Sequence, residues 1–478
     1  MRHRLSALHL APDSLGFALD AAAQAVNAVR AGASLPAVLA DVTGGEKMAA
    51  ARGAVQDIAY RAMRVLATAD ALVARSVRKA APPQVDGILV CAFTLLLDSS
   101  GLSSEHVPAP ENAYTDFTVV DQAVSAVAGR RETAFAKGLV NAVLRNFLRN
   151  RETLLADVRK DPAARWNYPQ WWIDSVQAAW PDDWEAVLTA GNTRAPLTLR
   201  VNRRRSTASD YLGVLNDAGI GGTLAGAAAP DAIVLTRPVP VDRLPGFFDG
   251  VVSVQDSGAQ RAALLLGATD GMRVLDACAA PGGKTGHLLE CANVEVVAVE
   301  SSAERAPRIT DNLRRLQLDA LVKVGDAAHP NYWWDGQLFD RVLADVPCSA
   351  SGIVRRHPDI RWLRRASDIP ALAAEQRRIL AALWSLVAPG GELLYVTCSI
   401  FPEEGEHQAQ WFEDAQKDAV RLDAPGQLLP SAGAAGGANR KTPPATSADA
   451  SLAATPAAGG TVPGLDQDGF FYARFLKR

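Results

Sequence analysis

The stretch VLDACAAPGGKTGHLLE, residues 274–290, decides how the second half of this chain folds. It opens with strand formers, passes through small residues and glycines, and ends on helix formers. Strand, small-residue loop and helix together open a nucleotide-binding α/β unit. Three loops of that kind compete. A phosphate-wrapping loop, G-x-x-x-x-G-K-[ST], is met at Gly283, Lys284 and Thr285, but Cys278 stands where the first glycine belongs. A dinucleotide loop, G-x-G-x-x-G, is not formed. The third is a nucleoside-binding loop. Its small side chains let backbone amides approach an adenosine cofactor, and the helix N-terminus faces the cofactor's carboxylate.

Working outward, region 251–478 alternates strands with helices. RVLDAC, VEVVAVE, LVKVGDA, DRVLADV and GELLYVTC are the strands, and segments such as EQRRILAALWSLV (375–387) lie between them. This predicts a doubly wound, mostly parallel sheet whose ligands sit beyond the carboxyl ends of the strands. Glu300 ends one strand, where a carboxylate would hold ribose hydroxyls. Asp326 follows the next, where it would meet an adenine amino group. Residues 424–463 are mostly Ala, Gly, Pro, Ser and Thr, and are expected to form a disordered insertion. DGFFYARFLKR (468–478) then resumes as a strand that returns to the sheet.

Residues 1–150 carry helical periodicity, as in AARGAVQDIAYRAMRVLATADALVARS (50–76) and KGLVNAVLRNFLRN (137–150), and predict an all-α domain. Residues 151–250 read as a small α+β connector. Five tryptophans fall within 165–184, and PLTLRVN (196–202) and AIVLTRPVPV (232–241) look like strands. Two arginine clusters, RVNRRR (200–205) and RRHPDIRWLRR (355–365), are either solvated surface or phosphate-contacting patches.

The net charge of −3 excludes a protein that coats polyanions, and no apolar run is long enough to span a membrane. The opening MRHRLSALHLAPDS (1–14) shows no secretion-signal core or cleavage site. The five cysteines are odd in number and include no CxxC pair. They predict reduced thiols in a cytoplasmic protein, with no metal site and no disulfide framework.

Two of those cysteines end strands: Cys348 in LADVPCSASG (343–352) and Cys398 in YVTCSIFPEEGE (395–406). A methyl donor beside a thiol suggests pyrimidine chemistry. Carbon 5 of a pyrimidine is a weak nucleophile. A thiolate adding to carbon 6 makes carbon 5 enamine-like, and loss of the carbon-5 proton later lets the thiol leave. An acid facing ring N3 neutralises the charge that develops, and Asp345, three residues before Cys348, is placed for that. Cys91 and Cys291 are expected to be small buried hydrophobes.

DACAAPGGKT (276–285), ADVPCSASGIVRRHPDIRW (344–362) and YVTCSIFPEEGE, in this order, resemble the RNA cytosine-5 methyltransferases of the NOL/NOP/Sun group. VSVQDSGAQ (252–260) and PLTLRVN are similar to that family too, and KGLVNAVLRNF resembles a NusB-like RNA-binding domain. The resemblance covers nearly the whole chain outside 424–463. It implies a Rossmann-like methyltransferase domain (251–478) behind a NusB-like domain (1–150) and the connector. It implies S-adenosyl-L-methionine as cofactor, held by Cys278, Ala279, Ala280, Pro281, Gly282, Gly283 and Lys284 with Glu300, Asp326 and Asp345. Cys398 is then the nucleophile and Cys348 serves product release. The implied substrate is one cytosine of 16S ribosomal RNA, free or within a small-subunit assembly intermediate, for a monomeric enzyme. Glu300 stands where relatives usually have Asp. The alternatives are the same chemistry on transfer RNA, or a non-catalytic NusB-like RNA-binding factor, which the full cofactor loop and both cysteines disfavour.

Overall fold

The computed structural model describes residues 9–99, 114–431 and 466–478. The chain forms two compact units. The first is Met1–Thr193 with Val354–Ala366, and the second is Arg194–Ile353 with Ser367–Arg478. The break at 193/194 lies beyond the boundary read at 150, which falls inside the helix Lys137–Val158, at a kink on Asn150. Residues past 150 stay with the first unit because they bond to its earlier helices: the Thr68 hydroxyl donates to Ala164 O at 2.6 Å and Thr68 N–H to Asn167 Oδ1 at 3.0 Å. Trp172 is fully buried beside Tyr168, and Trp166 meets Trp184 edge-on with ring centroids 5.0 Å apart.

The first unit is helical among its described residues. Leu15–Arg30 is its central helix, capped by the Ser14 hydroxyl accepting from Phe17 N–H. Its small residues Ala18, Ala21, Ala22 and Ala25 let neighbouring helices approach closely, and Asp20 within it forms a buried ion pair with Arg130. The segment Val354–Ala366 belongs to this unit although it lies between two strands of the other. Arg361 is buried, stacks 3.9 Å from the Tyr168 ring centroid, and donates to the carbonyls of Asn167 and Gly191. Trp362 donates to Met63 O at 2.8 Å, and Asp359 accepts from Leu35 N–H at 2.8 Å. Arg355 is also fully buried. The cluster 355–365 is therefore not a surface patch throughout, because two of its arginines are interior groups.

The second unit holds two sheets. The smaller contains β1 (Thr198–Val201), β2 (Gly222–Leu224), β3 (Ala232–Leu235) and β4 (Val252–Val254) in the order β2-β3-β1-β4, all antiparallel. The larger contains β5 (Arg273–Ala277), β6 (Glu295–Glu300), β7 (Leu321–Val324), β8 (Phe339–Asp345), β9 (Val387–Thr397), β10 (Ala419–Leu428) and β11 (Phe470–Lys477). Its order is β10-β11-β9-β8-β5-β6-β7, parallel from β7 to β9. The returning strand β11 runs antiparallel between β9 and β10.

This is the doubly wound sheet the sequence predicts, and its period-2 side chains explain why. Leu275, Ala277, Val297 and Val299 face one apolar cluster with Ile379, Leu380 and Leu383 of the helix Asp368–Trp384. Val274, Val296 and Ala298 face the other, with Leu288 of the helix Gly283–Cys291 and Ile309 and Leu313 of the helix Ala306–Leu316. Each fully buried aliphatic side chain contributes about 1.5–3 kcal/mol, so helices are held on both faces.

The expected insertion at 424–463 needs correction at its start. Residues 424–428 are the end of β10, because Gly426, Gln427 and Leu428 pair with Tyr472, Phe471 and Phe470. Residues 432–465 lie outside the described residues, as do 1–8 of the opening stretch. No described helix is long and apolar enough to cross a membrane.

Candidate active site

The loop after β5 carries the cofactor residues expected from the sequence. Cys278 takes a left-handed backbone with φ 63°, the conformation a glycine would adopt most readily. Gly282 has φ 92°, and a Cβ there would lie 3.0 Å from Ile309 Cα, so any side chain would be strained and crowded. The loop is pinned from outside: Ala279 N–H donates to Val299 O at 2.9 Å, Asn312 donates to Gly282 O at 3.1 Å, and Arg305 donates to Ala280 O at 3.0 Å. Pro281 closes the turn before Gly282, and Gly283 begins the helix Gly283–Cys291.

Arg200 of β1 adds a tether that the sequence did not reveal. It is fully buried, grips Glu290 with two hydrogen bonds of 2.9 and 2.7 Å, and donates to Gly283 O at 2.7 Å. Arg204 caps the other end of that helix through the carbonyls of Leu289 and Ala292. The cluster 200–205 thus binds the small sheet to the cofactor loop.

The acidic groups lie at adjacent strand ends. Glu300 is buried, and its carboxylate accepts from Ala280 N–H at 3.2 Å and Ser302 N–H at 2.9 Å. Asp326 accepts from Ala328 N–H at 2.9 Å and sits 2.9 Å from His329 Nδ1. Slight burial opposes its charge, but those contacts outweigh it and hold the carboxyl below its usual range. A cleft of about 130 Å³ opens beside them, lined by Cys278, Val299, Ser301, Asp326, Pro347 and Ile379 among others. Apolar walls with two carboxylates, Asp326 and Glu375, suit a nucleoside, and the residues present fit an adenosine-type cofactor. Glu300 lies behind this wall, with Ser301 at its surface.

Asp345 ends β8 and pairs with Lys284 at 2.6 Å. Burial disfavours the Lys284 ammonium, but the charge and hydrogen bond of Asp345, with Cys398 and Asp276 adding to the negative field, raise its pKa. Beneath them Asp276 is fully buried, accepts from the Thr285 hydroxyl at 2.6 Å and leaves Oδ1 without a hydrogen-bond partner. Burial pushes its carboxyl up to about 7, the Thr285 bond opposing and the Asp345 charge reinforcing the shift.

Cys348 and Cys398, at the ends of β8 and β9, have their sulfurs 3.4 Å apart. The contact with Cys398 pushes the Cys348 thiol well up, and burial and the charges of Cys398 and Glu404 add to this. Burial and the surrounding carboxylates push Cys278 far up as well, so it stays a thiol. Cys91 is buried as expected and its thiol is pushed up to about 12, whereas Cys291 is only partly buried, with burial still pushing its thiol up to about 11. The expected residues thus converge on one edge of one sheet. The sequence reading missed Arg200, Asp276 and Glu404, and for Glu404 the carboxylate pair in the turn that follows the second cysteine was the available signal.

Comparison with known proteins agrees with this geometry. The family described as 16S rRNA methyltransferase RsmB/F matches residues 263–476, and the RsmF/B-like ferredoxin-like domain matches 168–242. Ribosomal RNA small subunit methyltransferase B of Pseudomonas putida is 42% identical over 413 residues, covering 84% of this chain and 90% of that protein. Its counterpart from Vibrio cholerae is 46% identical over 300 residues, 62% of this chain and 69% of the relative. The solved structure of PH0851 superposes with a TM-score of 0.69 at 22% identity, covering 99% of this chain and 100% of that one, and so shares the fold. On these matches the chain belongs to the 16S rRNA methyltransferase RsmB/F family, whose enzymes depend on S-adenosylmethionine.

Proposed function

We propose that the chain methylates carbon 5 of one cytosine in 16S ribosomal RNA through a transient bond between Cys398 and carbon 6. The observation that carries this reading is the 3.4 Å approach of the two sulfurs beside the Lys284–Asp345 pair. S-Adenosylmethionine, when bound, supplies the methyl group. Ala279 to Lys284 hold it at the helix N-terminus, with Asp326 toward the adenine and Glu300 toward the ribose.

Cys398 adds to carbon 6 as a thiolate, and the electron pair released into the ring makes carbon 5 the nucleophile. Asp345, with Lys284 as its counter-ion, faces ring N3 and stabilises the proton shared there. A base takes the carbon-5 proton, the pair from that bond re-forms the C5–C6 double bond, and the carbon–sulfur bond breaks in the same step, with its electrons going to the Cys398 sulfur. The retained proton of Cys348 supports this step, because an S–H group hydrogen-bonds the departing thiolate.

The target cytosine must be unpaired or turned out of its helix to reach this edge. We assign RNA positioning to the NusB-like helical region, where the exposed Lys137, Arg145 and Arg149 recur at helical spacing. A reaction that needs two adjacent free thiols suits a reducing cytoplasm. Mapping 5-methylcytosine in 16S RNA from cells with and without the protein tests the proposal. Loss of one site in 16S RNA is the expected result. Loss in transfer RNA instead changes the substrate, and no loss anywhere refutes the cytosine reading.

A further inference from the structure

One carboxylate that the chemistry above does not use ties the two cysteine turns together. Glu404 ends the short turn Pro402–Glu404 and is fully buried. Its Oε1 accepts from Ser349 N–H at 2.8 Å and from Gln376 Nε2 at 3.1 Å, and its Oε2 accepts from the Ser399 hydroxyl at 2.7 Å. Ser349 follows Cys348, and Ser399 follows Cys398. Gln376 also donates to Pro347 O at 3.0 Å, so Cys348 is held on both sides.

Between the turns the hydroxyls of Ser349, Ser351 and Ser399 lie 3.0 to 3.2 Å from one another. Ser351 Oγ accepts from Ile400 N–H at 2.9 Å, and Cys398 O accepts from Gly352 N–H at 2.8 Å. A carboxylate only accepts, so the Ser399 hydroxyl must point at Glu404 and receive from its other neighbours. With the Ser349 hydroxyl donating to Ser351, the relay runs from Ser349 through Ser351 and Ser399 to Glu404. The donors to the Glu404 carboxylate are all neutral, and a buried carboxylate held this way is expensive unless something requires it.

We propose that Glu404 is a positioning residue that sets the spacing and orientation of the Cys348 and Cys398 sulfurs through Ser349 and Ser399. The inference rests on the reading of Cys398 as nucleophile. The charge of Glu404 is also one of the influences that keep the proton on Cys348, so it serves the asymmetry of the pair as well as its geometry.

Two variants of the full chain test this. Glu404→Gln is isosteric but offers N–H groups where Ser399 now donates, which reverses the relay. Ser399→Ala removes the link to the Cys398 turn. The first readout is the rate at which diamide cross-links the two cysteines. The diazene takes one hydrogen from each thiol and becomes the hydrazine as the S–S bond forms, so the rate measures sulfur geometry without RNA. The second is a kcat-against-KM split for RNA, with cofactor affinity by calorimetry.

We expect both variants to cross-link about tenfold more slowly and to lose about tenfold or more in kcat, with RNA KM and cofactor affinity within about twofold of the parent. An unchanged cross-linking rate in either variant overturns the proposal, whatever the activity. So does a slower cross-link at parental kcat, or a fall in kcat matched by an equal loss of cofactor affinity or rise in KM. Failure of the underlying reading is seen separately, as a parent enzyme that forms no 5-methylcytosine.

Discussion

The ends of β8 and β9 look alike in sequence and differ in their surroundings. Both run from apolar strand residues into a cysteine and then a serine, and their sulfurs meet. Cys348 is surrounded by influences that keep its proton, namely the Cys398 contact, burial and the Glu404 charge. Cys398 lies on the side where the Lys284 ammonium is held charged by Asp345. The difference teaches that two matching motifs can sit in different electrostatic surroundings.

The strongest way to break this comparison is to exchange the roles. Cys398→Ala should abolish methylation, a loss of more than about a thousandfold, while calorimetry still detects cofactor binding. Retained activity would make the two ends equivalent. Asp345→Asn should lower kcat by about a hundredfold or more, because the group facing N3 and the counter-ion of Lys284 are lost together. Single-turnover rates would show this as a defect in chemistry rather than in release. Cys348→Ala should leave the first turnover nearly intact and slow release, so that a covalent RNA adduct accumulates on a denaturing gel. Absence of that band would remove the distinction between the two cysteines.

Arg200→Ala should sharpen the picture from behind the loop. Leaving Glu290 buried and unpaired costs about 3–5 kcal/mol, read as a lower denaturation midpoint together with weaker cofactor binding. The smallest effect is expected at Asp276. Its carboxyl is raised to about 7 from an ordinary value of 3.8, so the folded chain keeps a proton that the unfolded chain gives up across that window. Stability attached to this group is therefore full below about 4 and declines as pH rises through about 7. Asp276→Asn should gain stability over the parent at pH 8 and lose that advantage near pH 4 in thermal melts.

Much of the site was legible because its signals are local. Strand formers followed by Cys278 and glycines report a loop at a strand end, and the same grammar places Asp326, Asp345, Cys348 and Cys398. The helix after Asp368 was legible too, although its last residues were not. It ends at Trp384, and Val387 already begins β9. What stayed hidden depends on partners far along the chain. Nothing near Arg200 announces Glu290, and nothing near Arg361 announces Asn167, so clusters of arginine read as surface when half of their meaning is interior. Glu404 was hidden for the same reason. Its sequence neighbours give no sign of Ser349, 55 residues earlier, and only the fold brings that residue to it.

The assignment of Val354–Ala366 to the helical unit has a consequence for how such a gene can be cut and rejoined. A fragment ending at Thr193 would lack Arg361, Trp362 and Asp359, and would expose the cavity lining those side chains now fill. The helical unit is thus assembled from two separate stretches of chain, and 1–193 cut free of Val354–Ala366 should melt earlier than the two stretches together.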